Sequence, residues 1–257
     1  MLGSKLGVTM KFSFSEVWAD TVRMLRTNAS LLLALAGAFL FLPALLLGYF
    51  VPQPAGAETA DQMIRDMQAY MIDNWHWIML SNILNMIGAI AIYLLLFERQ
   101  GRTVGGAIAA ALPILPFYFI LSFLTTLAIL FGLILLVIPG IYLLGRLVVS
   151  GATMVAEGHR NPLRAVGRSW VLSKGRGWAV AGLVMLVGIA GYALTAAITA
   201  VLGSVFILIG GQEGLGGLLV LILTAALSAV FSLVMIVLFA AAYGRLTALQ
   251  AESPPSN

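Results

Sequence analysis

Cysteine is absent from the 257 residues, and charge is scarce, with Asp, Glu, Lys and Arg together making 9%. The first absence excludes disulfide frameworks, iron–sulfur clusters, thiolate catalysis and cysteine-bound zinc. The second excludes a soluble domain, in which about 25% of all residues are charged. Histidine occurs twice, at His76 and His159, without HExxH spacing, so no metal site is predicted. No Walker-type phosphate loop is present, and Gly210, Gly211, Gly214, Gly216 and Gly217 read as a turn. Glu157, His159, Ser150 and Ser169 form no triad-like pattern, so neither catalysis nor a cofactor is expected. The net charge of +4 is topological and does not point to nucleic acid.

What the chain does hold is apolar: 61% of its residues, with a mean hydropathy of +1.04. This composition specifies an integral membrane protein, and long uncharged runs specify an all-α polytopic bundle. A span needs about 20 apolar residues. The runs give six spans, near 30–51, 77–97, 112–137, 141–156, 178–209 and 215–243. The third and fourth come from one stretch, 103–145, too long for a single crossing. It is divided by a hairpin turn at Pro139 and Gly140, because proline removes a donor and glycine permits reversal. The fourth span is short and carries Arg146; its rival is a re-entrant hairpin. Residues 1–250 form one membrane domain, and 251–257 a disordered tail.

Basic residues set the orientation. Lys5, Lys11, Arg23 and Arg26 precede span one, and Arg99 and Arg102 follow span two. Arg160, Arg164, Arg168, Lys174 and Arg176 lie between spans four and five, and Arg245 follows span six. Six spans place all of them on one side, which is therefore cytoplasmic with both termini. The other side has Arg65 among Glu58, Asp61, Asp66, Asp73 and Glu213. The first 30 residues lack a compact apolar core with a cleavage site, so span one serves as the insertion signal.

Surface helices are expected ahead of the outgoing spans. Ser13-x-x-Glu16 reads as a capping box for 14–26, with Phe12 stapled to Val17. On that helix Phe14, Val17, Trp18, Thr21, Val22 and Leu25 share one face, with Glu16, Asp20 and Arg23 elsewhere. A second covers 103–111. Asn161 and Pro162 begin a third, over 162–174. This suggests a threefold plan of surface helix plus hairpin. Residues 60–72 form an amphipathic helix on the outer side. Ala34/Ala38, Ala193/Ala197 and Ser228/Ser232 make small-residue packing faces.

Candidate contacts follow from these placements. The cations Arg160, Arg164, Arg168, Lys174 and Arg176 form a collar that either sets topology alone or binds anionic lipid headgroups. Arg146 is a headgroup or anion contact inside the bundle, or else a structural Arg satisfied by carbonyls or snorkelling outward. Asn82 and Asn85, three apart on one helical face, read first as interhelical hydrogen-bond groups and otherwise as the lining of a polar cavity.

From Ile138 to Trp178 the chain reads IPGIYLLGRLVVSGATMVAEGHRNPLRAVGRSWVLSKGRGW. The pattern lies in Pro139-Gly140-Ile141-Tyr142, Arg146, Glu157-Gly158, Pro162-Leu163, Ala165, Arg168-Ser169-Trp170, Leu172 and Lys174-Gly175-Arg176. It resembles the YciC-like group of bacterial inner-membrane proteins, related to the glycerophosphoryl diester phosphodiesterase membrane domain. The resemblance covers about 40 residues. It implies a multi-span bundle of the bacterial inner membrane, without the separate hydrolase domain or its metal-binding acidic motifs, and it brings no catalytic residues. The expected role is non-enzymatic: binding, organising or moving phospholipid, with membrane phospholipids as partners. The alternatives are a small-solute transporter or channel subunit, or an assembly partner acting through the outer helix.

Overall fold

The computed structural model describes residues 12–51, 54, 59–98 and 103–252. Lys5, Lys11, Pro52, Glu58, Arg99, Arg102 and residues 253–257 of the expected tail lie outside the described residues. Those described form helices joined by short turns, with no strand among them. In chain order these are α1 (Phe14–Thr27), α2 (Ala29–Ala36), α3 (Leu42–Phe50), α4 (Ala60–Asp73), α5 (Trp75–Phe97) and α6 (Val104–Ala111). There follow α7 (Leu115–Leu135), α8 (Val137–Leu147), α9 (Ser150–Ala156), α10 (Pro162–Leu172), α11 (Gly177–Gly210) and α12 (Leu215–Glu252). Six stretches are long and apolar enough to cross a membrane: Ala29–Phe50, Trp75–Phe97, Leu115–Leu135, Val137–Ala156, Gly177–Gly210 and Leu215–Glu252.

The first of these stretches is not a uniform α-helix. Pro43 lacks an N–H, and its ring would strike the carbonyl one turn back. A π-helical turn over Gly37–Phe41 widens the backbone just ahead of it. The surface helices start at local caps. Asn161 Oδ1 accepts the N–H groups of Leu163 (3.0 Å) and Arg164 (3.4 Å), and Thr103 Oγ1 accepts that of Gly106 (3.2 Å). The expected capping box at Ser13 does not form: its hydroxyl lies 2.9 Å from that of Ser15, and Glu16 turns to Arg245.

The hairpin turn also falls elsewhere than expected. α7 ends at Leu135, Leu136 alone is extended, and Pro139 and Gly140 lie in the first turn of α8. A proline fits there because first-turn N–H groups have no helical acceptor. Gly140 serves close approach rather than reversal: a Cβ on it would lie 2.6 Å from the backbone nitrogen of Leu133.

Spans one, two and six share a core of Leu32, Leu35, Ile90, Tyr93, Val237 and Ala240. A second core joins Val17 of α1, Val149, Leu172 of α10, Val180 of α11, and Leu238 and Leu246 of α12. α11 and α12 form an antiparallel pair, with Gly191 against Phe231 and Gly203 against Val220. The expected small-residue faces do not mediate packing, because Ala34, Ala38, Ala193, Ala197 and Ser228 are exposed. Close approach instead uses glycine against a large side chain, as at Gly88 on Phe39 and Gly48 on Leu221.

This arrangement gives the bundle two ends. α1, α10, the start of α11 and the end of α12 gather at one, where Phe97 of α5 meets Tyr243 at 5.3 Å. This is the basic end. At the far end lies α4, whose Tyr70 hydroxyl donates to the Val51 carbonyl at 3.4 Å.

Candidate functional site at the basic end

α1 is fastened across α12 by charge. Asp20 is buried; its carboxylate accepts from Arg23 at 2.5 Å and from the Arg245 Nε, and Arg245 Nη1 reaches Glu16 at 3.4 Å. The helical wheel puts Asp20 on the polar face of α1, which is correct for α1 alone. Packing against α12, 225 positions away in sequence, turns that face inward.

A second network closes the end of α9. Gly158, at φ +65°, ends the helix, and the His159 N–H donates to the Met154 carbonyl (3.0 Å) while that of Gly158 donates to Val155 (3.3 Å). This Schellman arrangement satisfies the last carbonyls and points Glu157 toward α10 and α12. Its Oε1 accepts from Arg168 Nε at 2.8 Å and the Tyr243 hydroxyl at 3.2 Å, and Oε2 lies 3.1 Å from His159 Nε2. Arg168 Nη1 also donates to Gln250 at 2.8 Å. Arg168 is thus engaged by Glu157 and Gln250 while remaining partly exposed, unlike the other cations of the collar. A Glu157→Ala, Arg168→Ala double-mutant cycle is expected to give a coupling of about 1 kcal/mol, since both groups are partly exposed. Equilibrium unfolding in mixed micelles measures it, and zero coupling would leave Arg168 free for lipid.

Arg146 lies deeper. α8 stops at Leu147 before α9 begins, which frees carbonyls. The Arg146 carbonyl is taken by the hydroxyls of Ser169 (2.7 Å) and Ser173 (3.3 Å), which lock α10 across α8. Its side chain is 3% exposed. The guanidinium carbon stands 4.2 Å from the ring centre of Trp170 and 5.7 Å from that of Tyr142. Nε and Nη1 are sealed from solvent and have no acceptor among the described residues. This answers one sequence alternative: no carbonyl satisfies those two groups, and the side chain does not snorkel outward.

A recess of about 520 Å³ adjoins it, lined by Ile138, Pro139, Tyr142, Gly175, Gly177 and Trp178. Gly177 separates recess from guanidinium, for a Cβ there would lie 2.8 Å from Arg146 Cδ. Gly177 also starts α11, whose first N–H groups receive no side-chain cap. The end of a 34-residue helix therefore adds positive potential beside Arg146. Lys174 and Arg176 stand on either side of Gly175 in the turn between α10 and α11, Arg164 lies on α10, and Arg160 just precedes it. None of these four forms an ion pair among the described residues. A separate apolar groove of about 570 Å³ runs between α11 and α12 beneath Phe14 and Trp18, bordered by Val187, Gly191 and Phe231.

Asn82 and Asn85 do not tie helices together through their amide NH₂ groups. Each donates within its own helix, to Ile78 (2.9 Å) and Ser81 (2.8 Å). They border a recess of about 260 Å³ with Tyr118, Ser122 and Ser232. Among the described residues no three His, Asp or Glu side chains stand together to hold a metal ion. Compared with known proteins, the chain matches no family model, no curated protein and no solved structure.

Proposed function

We propose that this protein binds and organises phospholipid in a bacterial inner membrane, with the basic end and both termini in the cytoplasm. One observation carries the reading: the buried Arg146 lies behind Gly177 at the uncapped start of α11, the turn that holds Lys174 and Arg176 contributes Gly175 to the same recess, and among the described residues no carboxylate pairs with these three cations. A concentration of positive charge in a poorly hydrated place calls for an anion. At a membrane surface the abundant anion is a headgroup phosphate. Lys174 and Arg176 would meet the phosphate directly, and Arg146 would add its field from behind Gly177. Arg160 and Arg164 would hold neighbouring headgroups. The apolar groove beneath Phe14 and Trp18 offers a berth for an acyl chain. The 138–178 stretch that resembles the YciC-like group contains the recess and all these cations.

Native mass spectrometry of the protein released from membranes tests the reading. The wild type is expected to retain phosphatidylglycerol in preference to phosphatidylethanolamine. Lys174→Gln with Arg176→Gln removes two cations worth about 1 kcal/mol each, so retention of the anionic lipid should fall about thirtyfold. Equal retention of both lipids by wild type and variant would sink the proposal.

A further inference from the structure

The α7/α8–α9 hairpin has the length and apolarity to cross a bilayer twice, yet its contacts put both its ends and its tip at the basic end. If it crossed, the turn at Leu136 would lie about 30 Å from that end, the reach of a 21-residue helix. Instead Ile138 and Pro139, next to the turn, line the same recess as Gly175, Gly177 and Trp178 at the start of α11. The Tyr142 and Trp178 rings are 5.6 Å apart. A Cβ on Gly145 would lie 2.0 Å from the Gly177 carbonyl. A span crossing antiparallel to α11 would bring the residues of the tip near the far end of α11, not near its beginning.

α10 gives a second, independent line. Arg164 and Arg168, four apart, and the Asn161 cap make it a surface helix, and it lies along the hairpin rather than across its base. Ala165 packs with Leu121 and Met154, Ser169 bonds the Arg146 carbonyl, and Trp170 meets Tyr142 at 6.2 Å. A surface helix can follow the hairpin from Met154 to Tyr142 in this way when both run along the membrane plane.

We infer that α7 and α8–α9 form a monotopic wedge, inserted among the acyl chains of the basic-end leaflet without crossing. The exposed side chains fit that occupant: Phe119, Phe123, Leu127, Leu130 and Ile134 recur on one face of α7, and Leu135 to Ile138 cover the tip. No charged residue occurs from Leu115 to Gly145 to demand water. The charge bias fits equally, since re-entry and double crossing return the chain to the same side. The inference is independent of which lipid the recess holds.

The cysteine-free sequence makes the test direct. Phe119→Cys, Phe123→Cys, Leu127→Cys, Leu130→Cys and Ile134→Cys are spin-labelled singly in the full chain, reconstituted in phosphatidylglycerol–phosphatidylethanolamine vesicles. Depth is read from collisions with oxygen and a water-soluble nickel chelate. A helix in the plane gives depths that agree within about 10 Å, one helix diameter. A crossing helix gives depth that peaks at Leu127 and returns toward water at Phe119 and Ile134, over about 22 Å of helix. The flat profile supports the wedge; the peaked profile overturns it. The five sites are exposed, so the labels replace no core contact.

Discussion

Arg146→Met is expected to leave the protein more stable than the parent, by about 1–3 kcal/mol, while reducing retained anionic lipid. The sign follows from what surrounds the guanidinium. Two buried nitrogens, Nε and Nη1, have no acceptor among the described residues, and each unsatisfied donor costs about 1–3 kcal/mol. The Trp170 ring at 4.2 Å returns about 2 kcal/mol as a cation–π contact. Methionine keeps the aliphatic packing against Gly177 and removes both the orphaned groups and the positive charge. Replacing buried charge with apolar volume is often neutral or stabilising. The measurement is unfolding in mixed micelles followed by tryptophan fluorescence, beside lipid retention. A loss of about 3–5 kcal/mol, as for breaking a satisfied buried pair, would make Arg146 a structural residue. Gained stability with unchanged lipid would separate Arg146 from the recess and leave Lys174 and Arg176 as the contacts.

That Arg146 faces the bundle interior was legible in the sequence, because charges in apolar stretches rarely face lipid. Its surroundings were not, for Trp170 comes from α10 and Gly177 from α11, and their approach depends on how each crosses α8. The spans were legible for the same reason that the core pattern was weak: bilayer-facing helices are apolar all round. Their ends followed charge less well. α12 runs on to Glu252, beyond the apolar limit near residue 243, because Arg245 and Gln250 find partners in Asp20 and Arg168. Such pairings join residues more than 80 positions apart, and no local periodicity encodes them. Pro139-Gly140 misled in an instructive way. Both residues disrupt a helix interior, but in a first turn proline loses nothing and glycine admits the neighbouring backbone. Of the two alternatives for the asparagines of α5, the amide NH₂ groups bond their own helix one turn back rather than a partner span, while the residues do border a recess.

Gly145→Ala and Gly167→Ala are expected to move stability in opposite directions. Both glycines lie within helices, where alanine is favoured by about 0.5–1 kcal/mol when nothing obstructs it. Gly167 of α10 meets that condition, with nothing within 4 Å of a new methyl. Gly145 does not: its methyl would lie 2.0 Å from the Gly177 carbonyl and 2.9 Å from the Ala181 nitrogen. Those are backbone atoms and cannot rotate aside, so α8 must lift off α11. The expected cost is about 3 kcal/mol, at the upper range of overpacking. Lifting α8 also carries Tyr142 and Arg146 away from Gly177, so lipid retention should fall with stability. Gly145 is thus the hinge between two claims. The recess needs α8 seated on the first turn of α11, and so does a hairpin that stays in one leaflet. A Gly145→Ala protein as stable as its parent would mean that α8 does not touch α11 there, and both would fall together.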